Sequence, residues 1–186
     1  AKAQIEGDYP DRRIVTVDTK NISGGMALLV YGALKLQRDG ASMDEVLAWM
    51  EENIPRANGC FTVDDLNHLK RGGRLPASTA AIGTMLQVKP ILYVDDEGSL
   101  KPVDKVRGRI KALRALADKA IENAVDPGEN ACIILHADNE TDAMRIKDMI
   151  EEKVKFKEMY VQFIGPVIGT HAGPDTMGVC FIGKHK

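Results

Sequence analysis

Apolar positions along this chain recur in two periods, and each change of period marks a new element. Residues 13–18, RIVTVD, form a short β-branched run that predicts a strand. A turn follows, and Ser23 stands as the N-cap of a helix reading GGMALLVYGALKLQR. Ala27, Leu28, Tyr31, Leu34 and Lys35 fall at helical spacing, and Gly40 is its stop. Ser42 caps a second helix. Glu45, three residues on, completes a capping box, and Val46, Leu47, Trp49 and Met50 give a broad apolar face.

One strand with two amphipathic helices does not make a sheet, because a buried parallel strand needs neighbours on both edges. Residues 1–57 therefore read as the remainder of a first α/β domain. A missing N-terminal segment of the same protein is the expected partner, since the chain begins at Ala1 rather than Met. Val15, Val17 and the helix faces at Leu28 and Val46 should be left without neighbours.

Asn58-Gly59 signals a turn, followed by a strand CFTVDD and a short helix Leu66–Arg71 closed by Gly72-Gly73. Ala77–Met85 can be helical. LQVKPILYVD reads as a strand with a break or an edge position at Pro90, and Asp96-Glu97-Gly98 turns it into SLKPVDKVR. Between Gly108 and Ala124, one helical face carries Ile110, Leu113, Ala117, Ile121 and Ala124. CIILHA has the continuous apolar run of a central strand. Asn139 or Asp138 caps a helix with Ile146, Met149 and Ile150 inward, and MYVQFI and GVCFIG are the last two strands. Residues 58–186 thus read as a complete mixed-sheet α/β domain with roughly six strands.

Composition narrows the function classes. The 186 residues carry a formal charge of -2, with 44% hydrophobic and only 5% aromatic residues. That balance offers no electrostatic pull toward nucleic acid and no base-stacking platform. No apolar run reaches the ~20 residues of a membrane span. Cys60, Cys132 and Cys180 lack C-x-x-C spacing, so a reduced, cytoplasmic protein is expected, with Cys132 and Cys180 in apolar runs as small hydrophobes. P-loop, H-E-x-x-H and G-x-S-x-G signatures are absent, and the four histidines are scattered, so neither a cofactor nor a metal is indicated.

Three segments could carry chemistry. Asn21-Ile22-Ser23-Gly24-Gly25 opens a helix after a strand, where bare N–H groups attract anions, although an ordinary strand–helix turn looks the same. Leu69–Leu75, reading LKRGGRL, presents Arg71 and Arg74 around a Gly-Gly turn, a fork suited to carboxylate or phosphate or simply a solvated helix end. The loop Gly165–Pro174 holds His171 among small residues, able to move a proton or hold an anionic head group. Residues 101–119 bear seven cations and two anions, the solvated face of a hairpin and helix or else a basic regulatory DNA-binding face.

FTVDDLNHLKRGGRL, then IGTMLQVKPIL, then GPVIGTHAGPDTMG resemble the DegV family in order and spacing. The early VDTKNISGGMALLV is similar to the last strand–helix unit of that family's first domain. The resemblance covers the later two-thirds of a family member. It implies a two-domain α/β fold that binds one long-chain fatty acid and presents the carboxylate to a separate ATP-dependent fatty acid kinase, without being an enzyme itself. It further implies that His171, Thr170 and Gly169 lie at the lipid head group, that Arg74, Gly73 and Arg71 face the kinase, and that Ser23, Gly24 and Gly25 lie at the lipid pocket. Asp175 departs from the family pattern, where many relatives carry Gly. The alternatives are a small-molecule enzyme using His171 as base with Arg74 as anion clamp, and the DNA-binding module.

Overall fold

Alternation in the last strand organises the molecule. In β6, Met177–Ile182, every residue is buried: Met177, Val179 and Phe181 face one side while Cys180 and Ile182 face the other. Only a sheet covered on both faces has strands of that kind. The computed structural model describes residues 1–75 and 88–186, and the helix expected over Ala77–Met85 lies outside them.

Among the described residues, six strands form one mixed sheet: β1 (Ala57–Thr62), β2 (Val88–Val94), β3 (Leu100–Arg107), β4 (Ala131–His136), β5 (Glu158–Phe163) and β6. Their order is β3-β2-β1-β6-β4-β5, antiparallel throughout except for the β4–β5 pair. The expected central strand CIILHA is β4, buried at all six positions. Seven α-helices accompany the sheet among the described residues: α1 (Lys2–Ile5), α2 (Ser23–Arg38), α3 (Met43–Asn53), α4 (Leu66–Arg71), α5 (Arg109–Asn123), α6 (Glu140–Glu151) and α7 (Pro166–Ala172).

Helices α5 and α6 cover one face. Ala112, Leu113, Leu116, Ala117 and Ala120 of α5 and Ala143, Ile146 and Ile150 of α6 pack on Cys132, Ile134, Val179 and Phe181. The opposite face carries two separate clusters. One joins Leu28, Leu29 and Met50 of α2 and α3 to Ile133, Leu135, Cys180 and Ile182. The other joins Leu66 and Leu69 of α4 and Ala172 of α7 to Val63, Leu75 and Leu92.

Several expectations need correction. Residues 13–18 form no strand, because none of the described strands lies beside them to share a ladder. Val15 and Val17 are exposed as expected, but Leu28 is buried and Val46 packs against the α2–α3 cluster, so the sheet supplies the partner. Asn58-Gly59 is not a turn: both residues pair within β1, opposite Phe181 and Cys180, where the ladder overrides local turn preference. Ile22, not Ser23, is the N-cap of α2, and Ser23 is its first residue with φ 49°. The buried stripe of α2 runs through Leu28 and Leu29, leaving Tyr31 and Leu34 exposed, and on α5 Ile110 is half exposed. By contrast, the break expected at Pro90 is present: β2 shifts register between Ile91 and Leu92, β1 has already parted from it at Pro90, and Thr62 Oγ1 donates to the Pro90 carbonyl.

Local signals elsewhere act as read. Ser42 and Glu45 form the capping box, and Asn139 accepts the Asp142 N–H at the start of α6. Gly40 follows the C-cap of α2 with φ 92°. Asp175 has φ 58°, a left-handed conformation, which explains why glycine suits that position and why Asp is tolerated.

Candidate functional site

Between the two clusters on the α2 side, the packed layer opens into a cavity of about 240 Å³. Its floor is the sheet: Gly59 and Phe61 of β1, Gly178 and Cys180 of β6, Leu135 of β4 and Val94 of β2. Its walls are Ile22 and Ser23 at the start of α2, Leu69 of α4, and Val167, Ile168, His171 and Ala172 of α7. Apolar side chains dominate this lining. The polar exceptions are Ser23, Arg74, His171 and Thr176.

Each polar wall residue is positioned by local chemistry. The segment expected to be a loop, Gly165–Pro174, contains the helix α7. Pro166 at its first turn needs no hydrogen-bond partner for a missing N–H, and Gly173 ends it with φ 83°. The buried Thr176 hydroxyl lies 3.1 Å from the Ala172 carbonyl and 2.9 Å from that of Gly173, which pins the end of α7. His171 sits half-buried on that helix, and Gly72 abuts it so closely that a Cβ there would collide with Nδ1. The turn after α4 and the histidine therefore fit only because residue 72 has no side chain. Arg74 is exposed, and its Nη1 donates to the Gly72 carbonyl at 2.7 Å. One carbonyl thus ties the arginine to the same turn that contacts His171.

Of the expected site residues, the fold brings Ser23, Arg74 and His171 to one cavity. Gly24 stands behind the wall, pressed on Cys180 and Leu135, and Gly25 is pressed on Asn21. Asn21 Nδ2 donates to the Ala57 carbonyl at 3.0 Å and so moors the start of α2 to β1. Thr170 is exposed and its hydroxyl is engaged by the Pro166 carbonyl at 2.8 Å, with Gly169 beside it. Arg71 lies at the exposed end of α4 beside His68, and Gly73 turns the chain there with φ 69°. Sequence reasoning missed Thr176, Phe61 and the floor glycines. For Gly178, the even-numbered positions of GVCFIG, which face one side of a strand, held that signal.

Burial pushes the Cys60 and Cys180 thiols up to about 12 and holds Cys132 well above its ordinary value. Thiols in that state are no nucleophiles at neutral pH. Iodoacetamide at pH 8, where these buried thiols stay protonated, should leave the folded protein unlabelled. The unfolded chain should take three labels, as counted by intact mass. Rapid labelling of the native protein would contradict this burial.

The basic stretch of residues 101–119 is not a continuous face. Arg109 turns inward to Asp142, with Nε 2.8 Å from Oδ2, and Lys101 pairs with Asp95 at 3.8 Å. Among the described residues, no His, Cys, Asp and Glu side chains gather as metal ligands. Likewise, no helix among them is long and apolar enough to cross a membrane.

A DegV domain-containing protein of Clostridium perfringens is 42% identical over 186 residues, all of this chain and 64% of the relative. This chain therefore spans about 64% of the length of such relatives. A DegV family protein from Thermus thermophilus, whose structure is described in terms of fatty acid binding, is 29% identical with a TM-score of 0.81, over 96% of this chain and 64% of that one. The Streptococcus pneumoniae Fatty Acid Kinase (Fak) B3 protein loaded with linoleic acid shares the fold, with a TM-score of 0.89 at 19% identity, over 99% of this chain and 65% of that one. Residues 1–184 match the profile of the family described as "Uncharacterised protein, DegV family", and the chain belongs to the DegV family.

Proposed function

We propose that this protein binds a long-chain fatty acid and presents its carboxylate to a separate ATP-dependent fatty acid kinase, with no catalysis of its own. The observation that carries the reading is the apolar cavity on which His171 and Arg74 converge. About 14 buried methylenes at ~0.8 kcal/mol each supply roughly 11 kcal/mol of transfer free energy. A hydrogen bond to a charged head group adds only ~1.5–3 kcal/mol. The tail sets affinity, and the polar groups set orientation and hand-off. Fatty acids named for solved relatives and the kinase named for the pneumococcal protein support the same reading.

In this reading His171 contacts the carboxylate, with Thr170 and Gly169 shaping its helix, and Arg74, with Gly73 and Arg71, faces the kinase. Residues 1–57 belong to the lipid-pocket domain and 58–186 to the second, in keeping with Ile22 and Ser23 closing a cavity otherwise built from the second stretch. The sheet packing of α2 and α3 spans that division.

Native mass spectrometry of the protein expressed in bacteria tests the proposal directly. A co-purified fatty acid is expected. A polar ligand would favour a His171/Arg74 enzyme instead, and steeply salt-dependent DNA binding would favour a regulatory module.

Two substitutions separate the roles. Arg74→Ala should leave fatty acid affinity within about twofold, because burial of the tail dominates affinity, while phosphorylation by the kinase falls at least tenfold. Equal loss of both would make Arg74 a structural residue. Gly72→Ala keeps an ordinary backbone, with φ -75°, yet its methyl must displace the His171 ring. Binding of the free acid should weaken several-fold with the melting temperature nearly unchanged, as calorimetry and thermal unfolding would show.

A further inference from the structure

Two of the floor residues are glycines in the middle of buried strands, where glycine is normally avoided. Gly59 of β1 and Gly178 of β6 lie on the same sheet face, since Gly59 pairs with Cys180 and Gly178 with Phe61. Glycine in a strand costs backbone entropy and leaves nothing to pack, so it usually marks a left-handed residue, a bulge or a close approach. None of these applies. Neither glycine has positive φ, and no bulge interrupts the β1–β6 register. Among the described residues, a Cβ at Gly178 would lie 3.6 Å from Leu135 Cβ, and one at Gly59 would lie 3.7 Å from Cys180 Sγ. These are ordinary contact distances. The space a larger side chain would take is the cavity itself.

We infer that Gly59 and Gly178 hold the cavity open and set how long an acyl chain it accepts, a role that rests on the fatty acid reading above. The strand gives up packing at these two positions, and the ligand's methylenes supply it. An apolar side chain at either position competes with the distal methylenes for one volume, whereas Ser23, Arg74 and His171 lie on the walls and are untouched.

The test is Gly178→Val, with Gly178→Ala and Gly59→Ala as smaller variants should the first fold poorly. Affinities for C12, C14, C16 and C18 acids are measured with the melting temperature of the ligand-free protein. A valine excluding two to three methylenes, at about fourfold each, should weaken C18 by roughly 15- to 60-fold and leave C12 unchanged. The ligand-free protein should melt higher than the parent, because a void is filled and a strand glycine removed. Equal weakening at every chain length, an unchanged chain-length profile, or a lower melting temperature for both alanine variants would overturn the inference. A parent protein that binds none of the four acids would instead overturn the fatty acid reading.

Discussion

Replacing Asp142 with Ala should destabilise the protein by about 3–5 kcal/mol, the cost of removing one partner from a buried ion pair. Asp142 is buried at the start of α6 and receives Arg109 Nε at 2.8 Å, Arg145 Nη1 at 2.9 Å and Asn139 Nδ2 at 3.3 Å. Arg145 is half exposed and would turn to water. Arg109 could not do so as freely: its Nη1 donates to the Asp175 carbonyl at 2.8 Å, and its Nη2 is buried without a partner. Without the carboxylate, a mostly buried guanidinium would stand uncompensated. The same network holds the turn at Asp175, since Asn139 Nδ2 donates to Asp175 Oδ1 at 2.7 Å, and Thr176 follows directly in the cavity wall. The loss should therefore reach the α7 end of the site. Urea unfolding of Asp142→Ala and Arg145→Ala would separate the contributions: a loss near 1 kcal/mol or less is expected for Arg145, and an equally small loss for Asp142 would show that solvent reaches the pair.

His171→Ala should weaken a fatty acid by 10- to 150-fold, equivalent to the ~1.5–3 kcal/mol of a hydrogen bond to a charged group. The fold should persist, because His171 is only half-buried and belongs to none of the three apolar clusters. The methyl ester of the same acid should lose far less, since its head is uncharged while its tail meets the same walls. Phosphorylation of the bound acid should fall at least as much as affinity, because orientation of the carboxylate is lost too. Calorimetry with acid and ester decides the matter. Equal losses for the two, with kinase turnover intact, would make His171 a wall residue and move the head group elsewhere in the cavity.

Where local chemistry dominates, the sequence was a good guide. Capping at Ser42 and Asn139, the stop at Gly40 and the β2–β3 turn are each settled within a few residues, and the structure shows them as read. The inward positions of α6, Ile146 and Ile150, followed from spacing because its apolar stripe is narrow and unambiguous. On α2 and α5 apolar residues surround more of the helix, so several rotations satisfied the pattern. The sheet chose Leu28 and Leu29 over Tyr31 and Leu34, and Leu116 and Ala120 over Ile110.

The sequence by itself determined the α/β class, a mixed sheet of roughly six strands over residues 58–186, and three segments containing Ser23, Arg74 and His171. These depend on period, caps and residue type, all of which are local. Tertiary structure alone decided that those segments, from the start of α2, the turn after α4 and the helix α7, meet over one cavity. It also decided that Asn58-Gly59 is strand rather than turn and that residues 13–18 pair with none of the described strands. The reason is that a ladder partner, a void and a convergence of loops are properties of residues far apart in the chain, and no window along it contains both sides of the contact.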